Sequence, residues 1–184
     1  MIINLWRLAA ILLVCILLCI TATNSAADGI IHNIKTKLTD SELLVSYQLR
    51  GAMDITMWRM IDAGEQTRFN YDVQLIEERR FWFDHKLAQL EITNSVKLDT
   101  LTHQYHLLRH INGEMVDTKI TTRPDDVEHW LTEVDNLRVI GRSGLAPRGH
   151  YLLQVRAHLK SDFIFYIVPW EVYTPWESIG VRIP

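Results

Sequence analysis

Alternation of apolar and polar side chains is the dominant pattern along this chain. In ELLVSYQLR, residues 42–50, every second residue is apolar, and the same holds for most of TRFNYDVQL, LTHQYHLLR and HYLLQVRAHLK. A period of two puts neighbouring side chains on opposite faces, as in half-buried strands. The pattern therefore predicts four well-marked strands, each with one apolar face.

Less regular stretches predict further strands. Four of them are IHNIKTKL, LEITNSVKL, EMVDTKITT and LRVIGR, and a fifth is FIFYIVPWEVY, where Pro169 requires a sheet edge or a break. The Asn112-Gly113 pair predicts a tight hairpin between LTHQYHLLR and EMVDTKITT. About nine short strands with readable turns are typical of a sandwich or barrel.

Two segments have helical spacing instead. RPDDVEHWLTEVDN carries apolar residues at i, i+3, i+4 and i+7, namely Val127, Trp130, Leu131 and Val134. Pro124 suits a first turn, and Asp125 and Asp126 complement the positive end of a helix better than they suggest a calcium site. MDITMWRMIDAG predicts a shorter helix, which Asp54 caps and Gly64 ends. Its apolar face consists of Ile55, Trp58 and Ile61.

We therefore predict a mainly β protein, an antiparallel β-sandwich with two short capping helices. No repeat, low-complexity tract or linker divides residues 28–184, and this length matches one domain. We expect a single β-rich domain over that range.

The first 27 residues have the layout of a secretory signal peptide. Arg7 is followed by the apolar run LAAILLVCILLCI, and small residues Ser25 and Ala27 suit cleavage after Ala27. The run is shorter than the roughly 20 residues of a membrane-spanning helix. We expect export to the periplasm, with an uncleaved anchor in the inner membrane as the alternative.

The cysteine content and the net charge exclude several kinds of site and partner. The only cysteines, Cys15 and Cys19, fall in the predicted signal, which excludes disulfides, thiolate metal sites and a cysteine nucleophile from residues 28–184. Without Arg7 the basic residues number 19 − 1 = 18 against 22 acidic ones, a net charge of −4. We expect no nucleic-acid partner, because such binders carry a basic patch.

The stretch RRFWFDHKL is the densest candidate site. Asp84 and His85 could form an acid–base pair, but adjacent residues on a strand point to opposite faces. Packing at a strand end is the interpretation we favour. If the stretch faces solvent, we predict an interface formed by Arg79, Arg80, Trp82 and Asp84, whose arginines and tryptophan are typical anchors.

Histidines at positions 103, 106 and 110 invite a metal site. A helix would put them on one face, but a strand separates His103 from His106 and His110. Zinc needs about three protein ligands, so we predict no metal and no cofactor. Ser143 lacks the frame of a nucleophile loop, and we assign no catalytic residue.

The segments FNYDVQL, ERRFWFD, LDTLTHQYHLLR, HYLLQVRAHL and VPWEVYTPW resemble a bacterial family of exported proteins, the domain of unknown function DUF4390. The resemblance covers most of residues 28–184, although SDFIFYIVP stands where a Leu-Pro-rich turn is expected. It implies a small, exported, mainly β protein, and it hints at partners in membrane signalling systems. It supplies no activity and no catalytic residues.

Three functions remain open at this point. The first is an exported accessory module that contacts a membrane or envelope protein. The second is a small-ligand or lipid carrier with aromatic residues around a cavity. The third is a metal-dependent envelope hydrolase, for which Asp84, His85 and His103 are the first suspects. We expect the non-enzymatic module, because no nucleophile, base and orienting group occur together.

Overall fold

The computed structural model of the chain describes residues 29–78, 85–160 and 171–183. Their strands are β1 (Ile30–Leu38), β2 (Glu42–Arg50), β3 (Thr67–Glu77), β4 (His85–Asp99), β5 (Gln104–Ile111), β6 (Glu114–Thr121), β7 (Glu133–Gly141), β8 (His150–Lys160), β9 (Glu171–Tyr173) and β10 (Glu177–Arg182). The helices are α1 (Ile55–Asp62) and α2 (Pro124–Thr132), and Arg142–Gly144 is a turn of 3-10 helix. The predicted mainly β class with two short helices is confirmed.

The strands form two antiparallel sheets. The small sheet has the order β1-β2-β7, and the large sheet has the order β10-β8-β3-β4-β5-β6. β9 pairs with the end of β8, next to the part of that strand that pairs with β10. Consecutive strands from β3 to β6 are neighbours in the large sheet, and the chain passes from β6 through α2 to β7 of the small sheet.

The core lies between the sheets, and the predicted apolar faces supply it. The alternating residues of β2, β3 and β8 are all buried, namely Leu43, Val45, Tyr47, Leu49, Phe69, Tyr71, Val73, Leu75, Tyr151, Leu153, Val155 and Ala157. Removing apolar side chains from water is the main favourable term in folding. The sandwich is confirmed, and its core follows the period of two.

Helix α1 begins and ends as predicted. The Asp54 side chain accepts a hydrogen bond of 2.8 Å from the Met57 N–H, which caps the helix. At the other end Gly64 has a φ of +80°, and its N–H donates to the Ile61 carbonyl. Ile61 is buried, but Ile55 is 69% exposed and does not join the core.

Helix α2 is shorter than predicted. It ends at Thr132, and Val134, expected on its apolar face, is instead a buried residue of β7. Val134 is i+7 from Val127, which suits a helix, and in the strand the next buried residue is Leu137 rather than residue 136, because the pairing of β7 with β2 is irregular there. Pairing of β7 with β2 places Val134 in the sheet, where it lies opposite Tyr47.

Two further expectations need correction. LTHQYHLLR was expected to be a strand from Leu101, but residues 100–103 form a turn, and β5 begins at Gln104. β10 was not predicted, although in ESIGVR the β-branched residues Ile179 and Val181 alternate with Ser178, Gly180 and Arg182, as in a half-buried strand. Most of FIFYIVPWEVY lies outside the described residues, and its end forms β9.

Candidate functional site

An arginine lies among aromatic rings on the outer face of the large sheet. Asp72 of β3 lies opposite Arg156 of β8. Arg156 Nε donates to Asp72 Oδ2 at 2.7 Å, and a terminal nitrogen of the same guanidinium lies 2.7 Å from that oxygen. Both side chains are less than one third exposed, so this ion pair is better shielded than a typical surface pair.

Two aromatic rings cover the guanidinium of Arg156. Its central carbon lies 4.3 Å from the ring centre of Tyr173 and 4.4 Å from that of Trp176. Tyr173 also stacks on His158, with 4.4 Å between the ring centres. A cation over an aromatic face is attracted by the ring's quadrupole. We call Asp72, Arg156, Tyr173 and Trp176 the clasp.

The clasp fastens the C-terminal segment to the sheet. Thr174 lies between Tyr173 and Trp176 in the sequence, and it is buried. The Ala157 N–H donates to Thr174 Oγ1 at 2.9 Å, and the Thr174 N–H donates to the Ala157 carbonyl at 2.9 Å. The connection from β9 to β10 is therefore bound to β8 by its backbone as well as by its rings.

The clasp also presents aromatic surface to solvent. Tyr173 is 41% exposed and Trp176 is 36% exposed, although both contact Arg156. Tyrosine, tryptophan and arginine are the residues enriched at the energetic centres of protein interfaces. Among the four clasp residues, none is a serine, threonine or cysteine nucleophile placed beside a base.

A second polar group lies inside the core, at the end of α2. The Tyr71 hydroxyl donates to the Leu131 carbonyl, and Asn94 Nδ2 donates to the Trp130 carbonyl at 2.9 Å. The last carbonyls of a helix have no partner within it, so other groups must supply the donors. We call Tyr71, Asn94 and Arg109 the helix-end network.

Arg109 completes the helix-end network. Its Nε donates to Asn94 Oδ1 at 2.8 Å, and a terminal nitrogen donates to the Glu133 carbonyl at 3.2 Å. Its guanidinium carbon also lies 4.6 Å from the ring centre of Trp130. Burial lowers the pKa of Arg109, but an arginine stays charged at neutral pH. A cation at the negative end of a helix is stabilising, so the network has a structural role.

The predicted interface of Arg79, Arg80, Trp82 and Asp84 lies outside the described residues. The flanking residues Glu77 and His85 lie opposite each other on β3 and β4, so the stretch connects these two strands. His85 is exposed at the start of β4. The interface therefore stays a prediction.

The histidine triplet does not converge. His103 lies in the turn before β5, with a φ of +53°, and is exposed. His106 and His110 lie four residues apart on β5, where His106 is exposed and His110 is half-buried. His158 of β8 is also remote from His106, because β3 and β4 lie between β8 and β5, a separation of about 14 Å.

A histidine and two carboxylates come together elsewhere. His129 Nδ1 lies 3.2 Å from a Glu133 carboxylate oxygen, and with Asp135 the three ligand atoms lie within 4.8 Å of one another. The predicted long helix would have separated Asp135 from the other two, which is why the sequence did not indicate this group. The group is largely exposed, and exposed ion pairs of this kind are common without a metal.

Two surface depressions bear on the carrier hypothesis. One of about 470 Å³ lies beside the end of α1 and is lined by Ala63, Gly64, Lys97, Leu98, Asp99, Thr100, Leu101 and His106. Another of about 330 Å³ lies between β2 and α2 and is lined by Gln48, Leu49, Arg50, Gly51, Met53, Glu128, Thr132 and Glu133. Neither lining includes the buried aromatic residues of the core.

Comparison with protein families identifies the domain. A family model described as "Domain of unknown function (DUF4390)" matches residues 26–162. The chain belongs to this family. No curated protein and no solved structure matches the chain.

The DUF4390 match includes β1 to β8, and therefore strands of both sheets. β9 and β10 lie beyond it, as does VPWEVYTPW, which was expected to belong to the resemblance. In the clasp, Asp72 and Arg156 belong to the matched residues, while Tyr173 and Trp176 come from the segment that follows. Among the described residues, neither helix of this DUF4390 protein is long and apolar enough to cross a membrane.

Proposed function

We propose that this DUF4390 protein is an exported accessory module of the bacterial envelope, which binds a membrane or envelope protein. The signal-like layout of residues 1–27 supports export to the periplasm, with attachment to the inner membrane if that segment is retained. The family resemblance adds a membrane signalling system as a class of partner.

The exposed rings of the clasp carry this proposal. Tyr173 and Trp176 are held in place by Arg156, and Arg156 is itself held by Asp72. Aromatic side chains that are fixed before binding lose little conformational entropy when a partner covers them. The outer face of the large sheet beside β9 and β10 is therefore the contact surface that we assign.

The described residues favour this function over the two alternatives. A lipid carrier needs an apolar cavity, but Tyr47 and Tyr71 pack together in the core, with 5.3 Å between their ring centres. A metal-dependent hydrolase needs converging ligands, but His85, His103 and His106 lie apart, on the start of β4, the turn before β5 and β5 itself.

The test is co-purification of the tagged full chain from a bacterial host, with partners identified by mass spectrometry. We expect Trp176→Ala to reduce recovery of one specific envelope protein at least tenfold, because it removes one of the two exposed rings of the clasp. Leu101→Ala is the matched control, since Leu101 is 92% exposed and lies in the turn before β5, away from the clasp. Equal recovery by the two variants would contradict the proposal.

The predicted interface just before β4 is tested by the same co-purification. If Arg79, Arg80, Trp82 and Asp84 also contact the partner, Arg80→Ala and Trp82→Ala will weaken its recovery while the circular dichroism spectrum stays native. Loss of folding in Trp82→Ala would instead support the packing interpretation of that stretch.

A further inference from the structure

Among the described strands, β6 is the last one of the large sheet, and its side chains are exposed. It pairs with β5 on one side, and every residue from Glu114 to Ile120 is exposed. Three of these residues are large and apolar, namely Met115, Val116 and Ile120, with exposed fractions of 63%, 52% and 57%. Unpaired edges that carry apolar side chains are templates for another strand.

The edge carries two opposite charges around one residue. Asp117 and Lys119 flank Thr118, and β6 is regular from Asp117 to Thr121, because the irregularity in its pairing with β5 falls between Asp117 and Met115. Charges on an edge strand discourage most neighbouring strands. They also select a neighbour whose charges are complementary.

We propose that β6 pairs with β6 of a second copy of this chain, antiparallel and centred on Thr118. In this register Thr118 lies opposite Thr118, and Asp117 of each copy lies opposite Lys119 of the other. Opposite charges directly across an antiparallel pair are favourable, and like charges are unfavourable.

The same charges specify the register. Sliding the second copy by two residues in one direction sets Asp117 against Asp117, and sliding it by two in the other direction sets Lys119 against Lys119. Each slip therefore replaces two attractive pairs with a repulsive one. The centred register also brings Ile120 towards the end of β6 in the other copy that carries Val116, at the irregularity, and both of these apolar side chains are exposed in the single chain.

The polar groups along β6 that pair within the single chain can pair across the interface instead. The Thr118 N–H donates to its neighbour's carboxylate, Asp117 Oδ1, at 2.8 Å. When a carbonyl of the second copy accepts from this N–H, the Asp117 carboxylate is released for Lys119 across the interface. Lys119 lies 3.3 Å from Asp126, but Asp126 keeps its hydrogen bond of 2.7 Å from the Thr121 hydroxyl when the lysine turns away.

A single cysteine tests the two-fold axis. The full chain, with Cys15 and Cys19 both replaced by alanine, carries Thr118→Cys and is oxidised in a mild detergent. Opposite residues of an antiparallel pair have Cα atoms about 4.5–5.5 Å apart, which is within the range of a disulfide, about 4.4–6.8 Å. We expect a disulfide-linked dimer on a non-reducing gel.

Val116→Cys is the matched control in the same background. In the proposed register the two copies of residue 116 are four positions out of step, about 13 Å, and cannot be bridged. We expect at least tenfold less dimer from Val116→Cys alone, and mixed dimers when it is oxidised together with Ile120→Cys. Equal dimer from the Thr118→Cys and Val116→Cys chains, or none from Thr118→Cys in a chain with a native circular dichroism spectrum, would overturn the proposal.

A charge exchange tests the selectivity. Asp117→Lys, added to Thr118→Cys, sets lysine opposite lysine, and we expect the yield of dimer to fall at least fivefold. Adding Lys119→Asp to that chain restores opposite charges across the axis and should restore the yield. An unchanged yield of dimer in both variants would show that these charges do not select the partner.

Discussion

At the scale of single residues, the two tyrosines in the core differ in one respect. Tyr47 and Tyr71 are both fully buried, and their rings contact each other. The Tyr71 hydroxyl donates to the Leu131 carbonyl, whereas the Tyr47 hydroxyl has no hydrogen-bond partner among the described residues. A buried polar group without a partner is costly, so the two hydroxyls contribute to stability with opposite signs.

This difference predicts opposite effects of the same substitution. Tyr71→Phe leaves the Leu131 carbonyl without that donor and should lower the free energy of unfolding by about 1–2 kcal/mol. Tyr47→Phe removes a hydroxyl that makes no such bond and should leave the stability unchanged or raise it by up to about 1 kcal/mol. Urea unfolding of both variants measures the difference, and equal losses would contradict the assignment.

The same tyrosines predict instability in alkali. Burial, the largest cause, raises the pKa of Tyr47 and of Tyr71, whereas an unfolded tyrosine has a pKa of about 10. The unfolded state therefore loses protons first, so stability is complete below about pH 10 and falls above it, by ~1.4 kcal/mol per pH unit for each tyrosine. Unfolding free energies measured above about pH 10 should fall less steeply in the Tyr47→Phe/Tyr71→Phe double variant.

Individual core positions could be predicted from alternation, but the polar ones among them were missed. Arg109 follows Tyr105 and Leu107 at the same spacing, and Asn94 lies between Ile92 and Val96. The inward positions of Arg109 and Asn94 could therefore be predicted from the alternation in the sequence. Their acceptors were not, because the carbonyls at the end of α2 approach these strands only in the folded chain.

At the scale of elements, the hairpin between β5 and β6 is the turn that the sequence indicated most clearly. Asn112 and Gly113 have φ values of +51° and +83°, as a primed two-residue turn requires. The Asn112 side chain also accepts a hydrogen bond of 3.0 Å from the Glu91 N–H, which ties the turn to β4.

Two glycines allow the effect of backbone strain on a glycine-to-alanine substitution to be measured apart from the effect of steric contact. A Cβ atom at Gly113 or at Gly180 would meet nothing within 4 Å, but only Gly113 of these two has a positive φ. Gly113→Ala should therefore lower the free energy of unfolding by about 1 kcal/mol, while Gly180→Ala should leave it unchanged or raise it slightly. Thermal unfolding of the two variants distinguishes them, and equal shifts would contradict the strain argument.

The ends of elements were harder to predict than their existence. Helix α2 was expected to continue through Val134, because apolar spacing alone cannot tell the last turn of a helix from the start of a buried strand. Pairing with β2 ends it at Thr132. The pairing of strands distant in the chain was likewise not readable, so the approach of Asp72 to Arg156 had no signal in the sequence.

At the scale of the whole molecule, the clasp unites two parts of the chain. Residues 26–162 match the DUF4390 family, and the segment with Tyr173 and Trp176 follows them. Because Arg156 holds both rings, the exposed aromatic surface depends on the family domain as well as on the segment that returns to it. This dependence is why we assign the contact surface to the folded molecule rather than to a short motif.

The most direct test of this account is photocrosslinking in living cells. A photoreactive phenylalanine derivative replaces Tyr173 in the full chain, and in a second strain it replaces Leu101, which is 92% exposed. The account predicts one discrete adduct with a membrane or envelope protein from position 173 and no such adduct from position 101. The same adducts from both positions, or none from position 173 in a natively folded chain, would contradict the claim that the clasp is the contact surface.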